Sequence, residues 1–156
     1  MTEPEGYVRF LLSHAAVVPT VEDALTVGGA QTLLPDWSKR RRTPALLSDL
    51  AQLGLIPPHS AVNVSLHGRE RMLGALYVLE GSRLGAAVLV ARMVSRPALA
   101  SSAPRAYLNY GAGERLWASF LRVLDEFRGD ERSVVEGALI TFDLFETAAR
   151  STVDRL

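Results

Sequence analysis

The sequence has no cysteine. That removes disulfides, thiolate nucleophiles, zinc fingers and iron–sulfur ligation together. Lysine is nearly absent as well: Lys39 stands alone beside sixteen arginines. An arginine excess of this kind, accompanied by twenty alanines, fits coding bias in a GC-rich bacterial genome. Neither sign of charge dominates, since 17 acidic residues balance 17 basic ones. A neutral chain has no electrostatic footprint for coating nucleic acid or an anionic membrane. No apolar run is expected to reach the ~18 residues that cross a bilayer. The acidic opening from Thr2 to Glu5 does not look like a signal peptide. These absences predict a cytoplasmic protein with neither nucleic-acid nor membrane partners.

The 156 residues, 48% of them hydrophobic, suffice for one domain spanning 1–156. Apolar spacing is helical almost throughout. Tyr7, Phe10, Leu11, His14, Val17, Val18, Val21 and Leu25 form one stripe, with Pro19 expected to bend it. Gly28-Gly29 ends that segment, and a loop leads to the basic run Lys39 to Arg42, read as solvated or as a contact for an anion or a reductase. Thr43-Pro44 predicts an N-cap followed by proline at the first helical position, for a helix ending near Leu53. A long helix follows from about Ser65 to Ser95, with a weak point in its middle, and then a small-residue loop bracketed by Pro97 and Pro104. Glu114 to about Arg128 should bury Trp117, Phe120, Leu121, Leu124 and Phe127. Asp130 or Ser133 should cap a last helix running to about Ala149. Period-two alternation is confined to brief stretches such as Ala61 to Val64. The expectation is an all-α, single-domain bundle of about five helices.

The most informative stretch is Leu73 to Ala87. Gly81 and Gly85 fall within about 20° of Gly74 around a helix, with Val78 beside them. Each glycine costs a helix interior about 0.5–1 kcal/mol relative to alanine, so something should approach the backbone closely. Either a second helix or a flat ligand would satisfy that requirement, and spacing does not choose between them.

The string Gly-Ala-Leu-Tyr-Val-Leu-Glu-Gly-Ser-Arg-Leu-Gly-Ala-Ala, Gly74 to Ala87, resembles the distal helix of bacterial biliverdin-producing heme oxygenases. Tyr7 to Leu11 with Glu22, the Arg40-to-Pro44 junction, and Ala138 to Phe142 agree with that family in order. The resemblance implies a heme oxygenase-like fold that binds heme or another tetrapyrrole, and a family activity cleaving heme to biliverdin, carbon monoxide and iron with electrons from a reductase. It implies that Gly81 and Gly85 lie against the porphyrin and that Ser82 organises water beside the distal pocket. It further implies that Val78 lines the pocket, that Arg122 pairs with a heme propionate, and that Phe142 lines the pocket from the last helix. An Arg fork suits a carboxylate through two parallel hydrogen bonds. Without the resemblance, Phe142 reads equally as core and Arg122 as a solvated cation.

Heme oxygenases take their axial ligand from a proximal histidine in a stretch like Leu-Arg-x-x-Thr-x-x-x-His. That pattern does not occur in this sequence. Against the family the chain is expected to be short by about one N-terminal helix, which predicts impaired or absent catalysis. His59 follows Pro57-Pro58 in a loop, and His67 precedes the glycines by about four turns. His14 alone is a candidate axial ligand, provided that its imidazole is neutral and its second nitrogen anchored. The alternatives are an active heme oxygenase using His14, and a structural or regulatory homodimer. The face left bare by a missing helix predicts a homodimer in any case. No Glu-x-x-His di-iron spacing, phosphate-binding glycine pattern or Gly-x-Ser-x-Gly elbow offers a competing chemistry.

Overall fold

The stripe of Leu11, Val18, Val21 and Leu25 is buried, and it sets the first helix as its spacing predicts. The structure is a computed structural model describing residues 3–59, 63–95 and 103–153. Among these residues it is helical, with no strand. α1 spans Glu3–Gly28 and runs through Pro19. A 3-10 turn (Ala30–Thr32) leads to the short α2 (Trp37–Arg40), and α3 covers Thr43–Gln52. α4 spans Arg69–Val94, α5 Ala106–Asn109, α6 Leu116–Glu126 and α7 Glu131–Val153. Five of these helices have ten residues or more, as expected. The short α2 and α5 lie where loops were expected. α4 begins four residues later than predicted and continues without interruption through its expected weak point. The small-residue loop at Pro97 and the alternating stretch at Ala61 lie outside the described residues.

Two apolar clusters hold the bundle. Val21, Leu25, Trp37, Leu73, Leu76 and Phe120 join α1, α2, α4 and α6. Leu11, Val18, Leu46, Leu50, Tyr107 and Leu108 join α1, α3 and α5. α4 packs most extensively on α7, which also covers α1. The last helix is capped as predicted, with the Asp130 carboxylate accepting from the Arg132 backbone N–H at 3.1 Å and the Ser133 hydroxyl at 2.7 Å.

Three expectations change. α1 and α4 each hold an 18-residue window long and apolar enough to cross a membrane by length and composition. Both are also core helices of this bundle, so their apolar faces are used in packing within the chain. The basic run is not a solvated loop: Arg40 and Arg42 are each 2% exposed. Arg40 donates to Glu80 and to the Leu116 carbonyl, both at 2.9 Å, and to Asp36 at 2.7 Å. The cap on α3 also comes from elsewhere. Thr43 is the first residue of that helix, and its N-terminus is closed by the Glu22 carboxylate of α1. Glu22 accepts from the Arg42 N–H (2.6 Å), the Thr43 N–H (3.1 Å) and the Thr43 hydroxyl (2.7 Å).

Candidate functional site

The three glycines of α4 share a face but not a neighbour. Gly74 is buried against the backbone of α7, where a Cβ would collide with the Val134 carbonyl oxygen. Gly137 on α7 is the counterpart, pressed against the backbone of Arg71. Gly81 is covered only by the Trp117 ring, 3.5 Å from where its Cβ would stand. Gly85 has nothing within 4 Å. Both readings of the stripe therefore apply, to different residues: a helix takes Gly74, and an open face begins at Gly81.

That open face is apolar. Tyr77, Leu84 and Val88 flank the two glycines and are 41%, 52% and 53% exposed. Tyr77 lies 5.5 Å from Trp117, ring centre to ring centre. Val78, expected beside a ligand, is buried. Arg122 is exposed on α6, about 140° around that helix from Trp117. The structure thus sets Gly81 against Trp117, leaves Gly85 open on the same face, and puts Arg122 on another side of α6.

Ser82 points into a polar network. Its hydroxyl donates to the Leu79 carbonyl at 2.7 Å and accepts from Arg42 Nη2 at 2.6 Å. The adjoining Arg83 grips Glu80 through Nε and Nη2, each at 3.0 Å, and the Arg40 carbonyl at 2.7 Å. This Glu80–Arg40–Arg83 cluster fixes α4 to α2 and to the start of α6. Sequence reasoning missed it, because Arg40 falls in the run expected as a loop; the Glu80/Arg83 spacing within one predicted helix was its available signal.

His14 lies elsewhere. With Phe10, Ser13, Phe142, Phe145 and Glu146 it lines a groove of about 630 Å³ between α1 and α7, to which α4 contributes no residue. Its Nδ1 is 2.7 Å from the Tyr107 hydroxyl, and its ring is 4.0 Å from that of Phe10. Burial, reinforced by the Arg42 charge, lowers its pKa to about 3, so the ring is neutral. Burial raises the Tyr107 phenol, which therefore keeps its hydrogen. The two conditions set for a ligating imidazole, neutrality and an anchored second nitrogen, are both present, and Nε2 is the nitrogen left for a metal. The structure brings His14 and Phe142 together and keeps both out of the glycine face. His59 and His67 are exposed in the segment before α4, His67 some 20 Å along the axis from Gly81.

The chemistry open to the glycine face follows from these positions. A flat apolar macrocycle can lie over Gly85, where the missing side chain lets it reach the backbone, beside the Trp117 ring that covers Gly81 and with Leu84, Val88 and Tyr77 around it. The residues present fit the ring of a heme in that respect. They offer no axial nitrogen on the same face, and no cluster of three metal-ligating side chains occurs among the described residues.

No family model matches the chain. A heme oxygenase of Xanthomonas campestris pv. campestris (strain 8004) is 35% identical over 94 residues, which is 60% of this chain. The match spans 56% of that protein, so the chain covers about half the length of the relative it resembles. Over those 94 residues the chain is similar to a heme oxygenase, and among its described residues the fold is helical with no strand.

Proposed function

We propose that this chain binds heme across the open glycine face of α4, as a cytoplasmic, heme oxygenase-like protein whose 156 residues by themselves cleave heme poorly or not at all. The observation that carries the reading is Gly85, an exposed helical glycine flanked by Leu84 and Val88 with nothing above it. A soluble helix has no packing reason for glycine there, at a propensity cost of about 1 kcal/mol. When bound, heme would supply its own oxygen and redox chemistry. The chain's part is to present a backbone surface at Gly81 and Gly85 and to exclude water through Tyr77, Leu84, Val88 and Trp117. Poor cleavage follows from the lack of an imidazole on this face, since oxygen activation at heme depends on a fixed axial ligand. Electrons for any turnover would come from a reductase.

A second reading is an active heme oxygenase ligated by His14, and the Tyr107 hydroxyl at 2.7 Å from Nδ1 favours it. Hemin titration followed by ascorbate under air separates the two. A sharp Soret band without a biliverdin spectrum supports the first. Biliverdin formation that His14→Ala abolishes supports the second, and broad, unsaturable absorbance rejects both.

A homodimer is part of the proposal. Val135, Leu139 and Phe142 lie on one face of α7 and are 56%, 61% and 53% exposed. Antiparallel pairing of that face with a second copy sets Glu131 opposite Arg150, joining unlike charges at both ends. Light scattering at micromolar concentration should return twice the chain mass; a compact monomer rejects the pairing.

A further inference from the structure

Behind α4, with Gly85 outside its lining, lies a second cavity of about 320 Å³ that shares Leu84 and Trp117 with the glycine face. Ala87 and Val90, which line it, stand about 160° and 140° around the helix from Gly85. Leu84, Leu108, Leu116 and Trp117 complete an apolar wall, and the turn Tyr110 to Glu114 forms the rim. Gly111 and Gly113 adopt φ of 74° and 84° in that turn. A Cβ on Gly111 would stand 2.6 Å from Leu116 and 3.3 Å from Arg83, so the rim is held tightly against α4 and α6.

Two arginines reach the cavity in different electrostatic states. Arg83 is neutralised by Glu80, and its Nη1 donates to the Tyr110 carbonyl at 3.2 Å. Arg42 has no such partner. Its side chain is buried, and Nη2 donates to the Leu79 carbonyl at 2.9 Å and to Ser82 Oγ at 2.6 Å. The guanidinium carbon lies 5.0 Å from the centre of the Tyr107 ring. Among the described residues no carboxylate pairs with this guanidinium, and its Nε and Nη1 make no hydrogen bond. Glu22 is turned instead to the backbone N–H groups of Arg42 and Thr43. A buried guanidinium without a counter-ion is costly, and one beside an apolar cavity leaves a place for the missing anion.

We infer that this cavity binds a small carboxylic acid with an apolar body, its carboxylate on Arg42 and its body against Leu84, Ala87 and Trp117. A planar guanidinium with free donors matches a carboxylate through parallel hydrogen bonds. A single uncompensated positive charge with Glu114 at the rim suits a monoanion and disfavours a phosphate dianion. The volume is at the lower end for ligand pockets, which suits an acid of one or two rings rather than a macrocycle. The carboxylate could come from such a free acid or from the propionate of a tetrapyrrole. The position behind α4, away from Gly85, favours the free acid.

The test uses 2-naphthoate as probe and the uncharged 2-naphthylmethanol as its control, titrated calorimetrically into the whole protein. Naphthoate should bind once per chain, and the alcohol about tenfold or more weakly, the discrimination expected of a charge-assisted hydrogen bond. Ala87→Trp fills the cavity from an exposed position while keeping the Arg42 side chain; it should abolish naphthoate binding and leave hemin titration unchanged. Arg42→Gln should weaken naphthoate and spare the alcohol, and Ala87→Trp carries the test should that variant not fold. Equal binding of acid and alcohol, retained naphthoate binding in Ala87→Trp, or loss of hemin binding in Ala87→Trp would each overturn the inference.

Discussion

Gly74 of α4 stands directly against the backbone of α7, so that a Cβ there would collide with the Val134 carbonyl oxygen and lie 2.5 Å from the Ala138 nitrogen. The obstacle is backbone rather than a side chain that can rotate away. Gly74→Ala should therefore destabilise the protein by about 2–3 kcal/mol even after the gain in helix propensity. Thermal denaturation should show a drop of about 5–10 °C. An unchanged melting temperature would mean that α4 and α7 do not meet at this point.

Gly85, eleven residues along the same face, should behave in the opposite way. Its Cβ would enter open space, so Gly85→Ala should raise stability by about 0.5–1 kcal/mol. On the proposed function the same methyl holds a flat ligand off the backbone, and hemin affinity should fall while the melting temperature rises. That opposition marks a residue kept for binding rather than for folding. A stabilised variant with undiminished hemin affinity would argue against the role given to this face.

Glu22 holds α3 to α1 through three hydrogen bonds at the helix N-terminus and a 3.6 Å contact with Arg41. Glu22→Ala leaves two backbone N–H groups without an acceptor and should cost about 3 kcal/mol in urea denaturation. Glu22→Gln keeps an acceptor but loses the charge, and it should fall between the two.

The His14 imidazole carries a pH signature. Its folded pKa of about 3 lies below the unfolded value near 6.5. Between those values the unfolded chain binds a proton that the folded chain does not, so stability falls as pH falls through that window. The slope should be about 1.4 kcal/mol per pH unit for this one group, with the contribution fully present above pH 6.5. Denaturation of the wild type and His14→Gln between pH 4 and 7 checks it, and the variant should lose that increment of slope. Identical pH dependence in both would mean that His14 is protonated in the fold.

Periodicity was enough to place the long helices because their burial follows spacing: Leu11, Val18 and Leu25 need no distant partner to identify their face. It could not place the buried arginines. Lys39 to Arg42 reads as a solvated run because the buried counter-charge of Arg40 is Glu80, forty residues away, beside the local Asp36, and the acceptors of Arg42 are Leu79 and Ser82. The glycine stripe was legible as a demand for close approach, but which glycine meets a helix depends on where α7 crosses. The candidate ligand residues divide for the same reason. Gly81 and Gly85 on α4, and the separation of Arg122 from Trp117 on α6, follow from the geometry of one helix, whereas the partners of His14 depend on how separate helices pack. Tyr107, the residue that fixes His14, lies 93 positions away and had no sequence signal.

The central claim is that heme lies on the α4 face opened by Gly81 and Gly85. Its most direct test is spectroscopic titration of hemin into the wild-type protein and into Gly85→Phe, which places a ring over that face at an exposed helical position. The account predicts a sharp Soret band that saturates at one heme per chain in the wild type and is lost in Gly85→Phe, with the helical circular dichroism of both the same. Broad, unsaturable absorbance in the wild type, or a Gly85→Phe titration indistinguishable from it, would contradict the account.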